Sequence, residues 1–139
     1  MRAAFTTAGE AEGAELTAEP DDQMGVFIHQ LLERELNNLF QREPREHIAI
    51  RSVFSTLRIM GPQLGFPHSS AVRGTQGAAL RELRPRRGHS RYRVLYQRRV
   101  DHCVLLALAP EATRDPRGFR SAIDTAIERA TWIPEQKAD

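Results

Sequence analysis

Hydrophobic residues recur at helical spacing in the first half of the chain. From Met24 to Phe40 many apolar side chains lie three or four positions apart, which is typical of an amphipathic helix. Two aspartates precede this stretch as potential caps and Pro44 follows it, so we predict one helix over 22–42. A second apolar stripe of the same kind predicts another helix over about 45–60.

The hydrophobic period changes to that of β-strands after a segment at 61–78, which is rich in glycine and proline and predicts a loop. Strands are predicted at 79–84 and 91–97, separated by a turn in which Gly88 can adopt a positive φ. An almost wholly apolar run at 102–109 predicts a strand covered on both faces. Strands this close in sequence pair most simply in antiparallel fashion.

The last predicted element is a helix. Asp115 is its predicted N-cap, Pro116 takes the first helical position, and Pro134 ends it. The order helix, helix, three strands, helix predicts an α+β fold. We expect two N-terminal helices packed on a small twisted antiparallel sheet of three to four strands, with a C-terminal helix. Residues 1–20 have almost no large apolar side chains and predict a disordered tail, which leaves 21–139 as the domain.

Charge changes this picture, because the cations are nearly all arginine and are unevenly placed. The 139 residues have a net charge of +2, and 19 of the 20 cations are arginine. Residues 1–46 have a net charge of −6 and residues 47–139 one of +8, and the window 73–99 holds nine arginines against the single acid Glu82. A GC-rich genome would explain the excess of arginine over lysine but not this clustering. The clustering predicts a face that binds a polyanion, and nucleic acid is the first candidate. The alternatives are a solvated basic face and a surface that meets an acidic partner.

Several classes of protein are disfavoured by what the sequence lacks. No apolar run reaches the roughly 18 residues of a membrane helix, and the start of the chain does not resemble a signal peptide, so we expect a cytoplasmic protein. Cys103 is the only cysteine, lies in the most apolar predicted strand and is expected in the core. Neither a glycine-rich phosphate loop nor histidines at metal-ligand spacing are present, so no cofactor and no metal are expected.

Loop histidines and strand arginines are the candidate chemical groups. His68 and His89 lie in predicted loops beside the arginine-rich strands, where a histidine near a scissile phosphate can act as a general acid or base. Arg91 and Arg93 alternate along one strand and are predicted to share a face, on which they can form a fork for phosphate.

Five segments, taken in order, resemble a known family. These are the proline-bearing loop 61–68, Val-Arg-Gly at 72–74, Leu-Arg-Glu-Leu-Arg at 80–84, Tyr-Arg-Val-Leu-Tyr at 92–96 and the apolar 104–106. Together they resemble the phage-derived RelE/HigB-like toxins of toxin–antitoxin modules, over about 61–130. The motifs at 80–84 and 92–96 are fairly specific as a pair and weak separately.

The resemblance implies helices packed on a twisted antiparallel sheet and ribosome-dependent cleavage of mRNA in the decoding site. In that reaction the 2′-hydroxyl attacks the adjacent phosphate without a metal, and a cognate antitoxin, often a helix-turn-helix protein, blocks the toxin. By its place in the motif, Arg84 matches the strand arginine that faces the scissile phosphate, and Arg93 matches the arginine of the Tyr-Arg strand. Tyr96 matches the closing tyrosine, which we expect to be packed.

The leading hypothesis is therefore the toxin of a type II toxin–antitoxin system, a metal-independent endoribonuclease that inhibits translation. Its partners would be a cognate antitoxin and mRNA on the ribosome. The catalytic set would be Arg84, Arg93, His89 and His68. The arginines expected to hold RNA are Arg73, Arg81, Arg86, Arg87, Arg91 and Arg114.

Departures from the family pattern favour an alternative. The chain has Pro110-Glu111 where the family commonly has two cations, and Phe119 where some members place a catalytic tyrosine. No lysine occurs in the predicted folded core, and the helix predicted over 22–42 leaves no strand before it. The alternative is a catalytically degenerate RelE-like module that binds RNA or an acidic antitoxin without cleaving.

Overall fold

The computed structural model of the chain describes residues 25–75 and 77–134, and these residues form an α+β fold. The strands are β1 (Gly25–Ile28), β2 (Ser69–Ala71), β3 (Leu80–Leu83), β4 (Tyr92–Arg98) and β5 (His102–Pro110). The helices are α1 (Gln30–Arg42), α2 (Pro44–Met60) and α3 (Pro116–Arg129). The predicted tail 1–20 and the first residues of the helix predicted over 22–42 lie outside the described residues.

The strands form one five-stranded sheet in the order β1-β5-β4-β3-β2. Neighbours from β2 to β5 pair in antiparallel fashion, as predicted, whereas β1 runs parallel to β5. The predicted α+β fold, with two N-terminal helices, a small sheet and a C-terminal helix, is therefore confirmed. The sheet differs from the prediction in having five strands and in being mixed, because β1 and β2 were not predicted as strands and β1 runs parallel to β5.

The prediction of a single helix over 22–42 is wrong at its start. The first four described residues form β1, and α1 begins at Gln30 after His29, whose Nδ1 accepts a hydrogen bond from the Leu31 amide at 3.1 Å. The β1 tetrapeptide Gly-Val-Phe-Ile is rich in strand-forming residues and pairs with the apolar β5. A short apolar run fits either period, so its spacing could not separate strand from helix.

The loop predicted over 61–78 also contains a strand. The short β2 pairs with β3, with Ser69 opposite Leu83 and Ser70 opposite Glu82. Its sequence, Ser-Ser-Ala, has neither hydrophobic alternation nor strong strand propensity, so the pairing depends on the edge that β3 offers.

The remaining predicted elements agree with the structure to within two residues, except that α3 ends at Arg129, ahead of Pro134, which was predicted to end it. Gly88 has a φ of 94° as expected. The α3 cap is formed as predicted, since Asp115 Oδ1 accepts from the Gly118 amide at 2.9 Å. Cys103 is buried, also as predicted, and burial raises the pKa of its thiol to about 12. Within the described residues, no helix combines the length and apolarity that crossing a membrane requires.

Two hydrophobic clusters lie on opposite faces of the sheet. On one face α1 and α2 pack against residues that include Leu83, Val94 and Tyr96. On the other face α3 packs against β5 and β4, with Leu80 and Leu95 in the same cluster as its alanines. Because α3 lies over β5 and β4, the neighbouring β3 and β2 keep half-exposed polar side chains on this face. The candidate site lies there.

Candidate functional site

The site is centred on the carboxylate of Glu82, which side chains from three strands surround. Its Oε2 accepts from Ser70 Oγ at 3.0 Å and from Arg84 Nη1 at 3.3 Å. Its Oε1 lies 3.6 Å from Arg93 Nε. The β2–β3 register places Ser70 opposite Glu82, so the contact follows directly from strand pairing. Sequence reasoning did not select Glu82 as a site residue, although its position as the only acid among nine arginines was a usable signal.

Arg84 is held at the edge of this group and is partly exposed. Its Nε donates to the Pro67 carbonyl at 3.0 Å, and its guanidinium carbon lies 4.9 Å from the centre of the Phe66 ring. Gly88 lies so close that a Cβ there would be 2.5 Å from Arg84 Nη2. The side chain is 19% exposed, and its hydrogen bonds to described residues use Nε and Nη1. Nη2 therefore remains for a ligand.

Arg93 is a buried arginine that ties the preceding turn to β4. It is 3% exposed, and its Nη1 donates to the carbonyls of Ser90 and Tyr92 at 2.7 and 2.9 Å, while Nη2 donates to the Gly88 carbonyl at 3.2 Å. Burial lowers the pKa of this guanidinium, and the nearby carboxylate of Glu82 opposes that shift. Arginine stays protonated in proteins, so a buried positive charge rests beside the Glu82 carboxylate.

The fork predicted for Arg91 and Arg93 is not formed, which corrects that expectation. Arg91 instead donates to Glu43, the residue between α1 and α2, and Tyr92 donates to the same carboxylate at 2.5 Å. Hydrogen bonds from Arg91 and then Tyr92 lower the pKa of Glu43. The two arginines thus have different partners, because Arg93 is buried against the turn and Arg91 extends to the helical hairpin.

A second predicted RNA-binding arginine also pairs with the acidic first part of the chain. Arg86 Nη2 donates to the Arg45 carbonyl at 3.3 Å and lies 3.7 Å from Glu46 Oε2. The charge asymmetry along the sequence is therefore partly cancelled in space, since Arg91 and Arg86 meet carboxylates of α2 and its cap.

Arg81 lies on the opposite face of the sheet from Glu82. Its Nε donates to Ser69 Oγ at 3.0 Å and to the Tyr96 hydroxyl at 3.3 Å, and these two hydroxyls are hydrogen-bonded at 2.6 Å. Tyr96 is fully buried, as expected of a packed residue. Arg81 therefore belongs to the α1–α2 side of the molecule and not to the group around Glu82.

The two candidate histidines flank the Glu82 group. The Arg84 amide donates to the His68 carbonyl at 2.9 Å, which extends the β2–β3 ladder and places His68 opposite Arg84. His89 is exposed and directly follows Gly88, with its Nδ1 3.0 Å from the Arg86 carbonyl. One histidine thus lies across the strand pair from Arg84, and the other lies in the turn that contacts Arg84.

The predicted RNA-binding arginines that remain are exposed. These are Arg73, Arg87 and Arg114. Arg87 lies in the same turn as Gly88 and has a φ of 59°, so its backbone takes a conformation that is uncommon for arginine. Arg73 and Arg114 follow β2 and precede α3 respectively. The basic window therefore divides into structural arginines and a smaller exposed set.

No family model, curated protein or solved structure matches this chain. In residues 25–75 and 77–134, no three histidine, cysteine or carboxylate side chains are grouped as metal ligands would be. The functional assignment therefore depends on the chain's own residues and on the resemblance of its motifs.

Proposed function

We propose that this chain is a RelE/HigB-like toxin of a type II toxin–antitoxin system, which cleaves mRNA on the ribosome and so inhibits translation in the cytoplasm. The observation that supports this most is the partly exposed Arg84, which Glu82 holds through Nη1 and which lies opposite His68. Its Nη2 makes no hydrogen bond to a described residue. A preorganised guanidinium of this kind suits a phosphate whose negative charge increases in the transition state.

The fold adds support outside the segment that carries the resemblance. The family has a strand ahead of the first helix, and the hydrophobic pattern of this chain does not predict one. The strand β1 supplies it, paired in parallel with β5. The remaining departures, Pro110-Glu111 and Phe119, concern side chains and not the course of the chain.

In the proposed reaction Arg84 Nη2 binds a non-bridging oxygen of the scissile phosphate. The 2′-hydroxyl oxygen bonds to phosphorus while its proton passes to a base, and the bond from phosphorus to the 5′-oxygen breaks as an acid protonates that oxygen. The products are a 2′,3′-cyclic phosphate and a 5′-hydroxyl. His68 is the proposed base because it lies opposite Arg84. His89 is the proposed acid in its doubly protonated form, in which Nδ1 donates to the Arg86 carbonyl and the Nε2 proton passes to the 5′-oxygen.

Glu82 and Arg93 act as positioning residues in this scheme. Glu82 holds Arg84 Nη1, which leaves Nη2 to bind the phosphate. Arg93 fixes the turn that carries His89 by binding the carbonyls of Gly88 and Ser90. Neither residue needs to touch RNA in this role.

The test is inducible expression in bacteria without an antitoxin, combined with primer extension on translated mRNA. We expect growth arrest and ribosome-dependent cuts, both of which Arg84→Gln should abolish because it removes the phosphate-binding charge. Arg34→Gln is the matched control, since Arg34 is an exposed arginine of α1, far from the site in the sequence. Thermal melting of each purified variant checks that it is folded. If Arg84→Gln is folded and as toxic as the parent, the assigned site is wrong.

A second candidate function is RNA or antitoxin binding without cleavage. Arg93 favours it, because the arginine that matches the family's Tyr-Arg strand is 3% exposed and bonded to three backbone carbonyls. A folded chain that binds RNA with a steep salt dependence, but leaves translated mRNA uncut, would favour this alternative. A small helix-turn-helix reading frame beside the gene would supply the expected antitoxin for either function.

A further inference from the structure

Phe66 presents an aromatic ring to solvent at the edge of the candidate site. It is 75% exposed and lies in the segment that joins α2 to β2, two residues after the buried Leu64. Other large apolar side chains of the described residues are exposed as well, so exposure alone does not mark a site. Phe66 is a candidate for contact with a ligand because its exposed ring contacts the guanidinium of Arg84.

The exposed ring lies against the guanidinium proposed to bind phosphate. The Arg84 guanidinium carbon is 4.9 Å from the ring centre, within the range of a cation–π contact. The Pro67 carbonyl next to the ring accepts from Arg84 Nε at 3.0 Å, so the backbone holds ring and guanidinium together. A π-face and a partly exposed cation thus lie side by side.

We propose that Phe66 is a stacking platform for an unpaired base of single-stranded RNA, whose adjoining phosphate binds Arg84. This inference rests on the proposed function in taking RNA as the ligand, but it does not require cleavage. Single strands are bound through aromatic side chains that stack on bases and cations that bind the backbone, and Phe66 with Arg84 supplies one of each. A duplex conceals the faces of its bases, so the platform selects unpaired RNA.

The polar surroundings of the ring fit a nucleotide better than a protein partner. A protein-docking patch is a contiguous apolar surface, whereas this ring contacts a guanidinium and is followed in the chain by Pro67 and the half-buried His68. A nucleotide offers both an aromatic base and a phosphate, which match the ring and Arg84 together.

The test measures binding of a short 2′-O-methyl RNA, which cannot be cleaved, as a single strand and as a duplex. We expect Phe66→Leu to weaken single-strand binding by about tenfold, because it keeps an apolar side chain but removes the π-face. Phe66→Trp should bind at least as tightly as the parent, and its added indole emission should be quenched when a base stacks on it. Arg84→Gln should weaken binding of both forms, since each has phosphates.

Two results would overturn the inference. One is a Phe66→Leu variant that binds single-stranded RNA as tightly as the parent. The other is a Phe66→Leu variant whose binding of duplex RNA is weakened as much as its binding of the single strand. Should Phe66→Leu be poorly folded, unquenched emission from a folded Phe66→Trp variant bound to RNA would overturn it as well. If translated mRNA is never cut but Phe66→Leu still loses single-strand binding, the proposed nuclease function fails and the stacking platform stands.

Discussion

Two polar networks on opposite faces of the same strand show how differently this fold uses arginine. On the face covered by α1 and α2, Arg81 donates to the fully buried Tyr96. On the face that α3 covers only over β5 and β4, Glu82 joins the buried Arg93 to Arg84, which is 19% exposed. We call the first the closed network, because it centres on the fully buried Tyr96, and the second the open-face network, because it lies on the part of the sheet that α3 leaves uncovered. The arginine at the end of each, Arg81 or Arg84, is half-buried.

The difference teaches that helix coverage, more than sequence charge, decides what each arginine does. Arg81 and Arg84 are three residues apart in the same basic window, yet Arg81 donates to two hydroxyls and Arg84 to a carboxylate and a backbone carbonyl. Neighbouring arginines diverge because alternate strand residues point to opposite faces and the two faces are covered unequally. Variants in each network can test this contrast.

The largest expected effect comes from neutralising the centre of the open-face network. Glu82→Gln leaves Arg93, which is 3% exposed, without its countercharge, so we expect the free energy of unfolding to fall by about 3 kcal/mol. The matched control is Glu33→Gln, which breaks an exposed pair with Arg51 at 2.6 Å and should cost less than about 1 kcal/mol. Urea unfolding measures both. Equal losses would mean that Arg93 does not depend on Glu82.

A smaller effect is expected from removing one hydroxyl of the closed network. Tyr96→Phe removes one hydrogen-bond partner from the buried Ser69 hydroxyl and one from the Arg81 guanidinium. We expect the free energy of unfolding to fall by about 1.5 kcal/mol. Tyr92→Phe, the same substitution at a partly exposed hydroxyl bonded to Glu43, should cost about 0.5 kcal/mol. Urea unfolding and RNA titration together check the contrast. Weakened RNA binding in a folded Tyr96→Phe variant would contradict the separation of the two networks.

A third prediction separates backbone strain from the contact with Arg84. Gly88 and Gly74 both have positive φ, of 94° and 78°, so alanine should cost about 1 kcal/mol at either position. A Cβ meets Arg84 Nη2 at 2.5 Å only at Gly88, since nothing lies within 4 Å of a Cβ at Gly74. We therefore expect Gly88→Ala alone to weaken RNA binding, by displacing the guanidinium. Equal affinities in the two folded variants, measured by titration with single-stranded RNA, would argue against Arg84 as the phosphate ligand.

Much of the fold was predictable from local patterns, and the failures have physical causes. The helices α2 and α3 and the strands β3 to β5 follow hydrophobic period and turn residues. The strands β1 and β2 depend on long-range pairing with β5 and β3, which no local pattern reveals. A four-residue apolar run and a Ser-Ser-Ala segment become strands only because a partner edge is present.

The candidate site was predictable in composition but not in arrangement. Arg84 and Arg93, which motif position assigns to one site, both contact Glu82. Sequence alternation could not show that Arg93 is buried under the turn or that Arg91 reaches Glu43. Burial and ion pairing arise from the packing of distant elements, so identical residue types in one window have different roles.

The smallest expected effect concerns pH and the start of α1, outside both networks. Burial, and then the charge of Arg129, lowers the pKa of His29, whose Nδ1 must be unprotonated to accept from the Leu31 amide. The unfolded chain therefore binds more protons than the folded one just below the ordinary histidine pKa of about 6.5. The contribution of unprotonated His29 to the free energy of unfolding should be fully present above that pH and should be lost as the pH decreases.

The variant His29→Asn isolates this contribution, because asparagine caps helices well and does not titrate. Urea unfolding at about pH 7.5 and about pH 5.5 should show a smaller loss of stability in His29→Asn than in the parent. Some loss should remain, since burial also lowers the pKa of His47, which accepts from Arg51 Nε at 3.1 Å. An unchanged pH dependence in the folded variant would show that protonation of the α1 cap does not limit stability. The dependence would then have to come from His47 and the carboxylates.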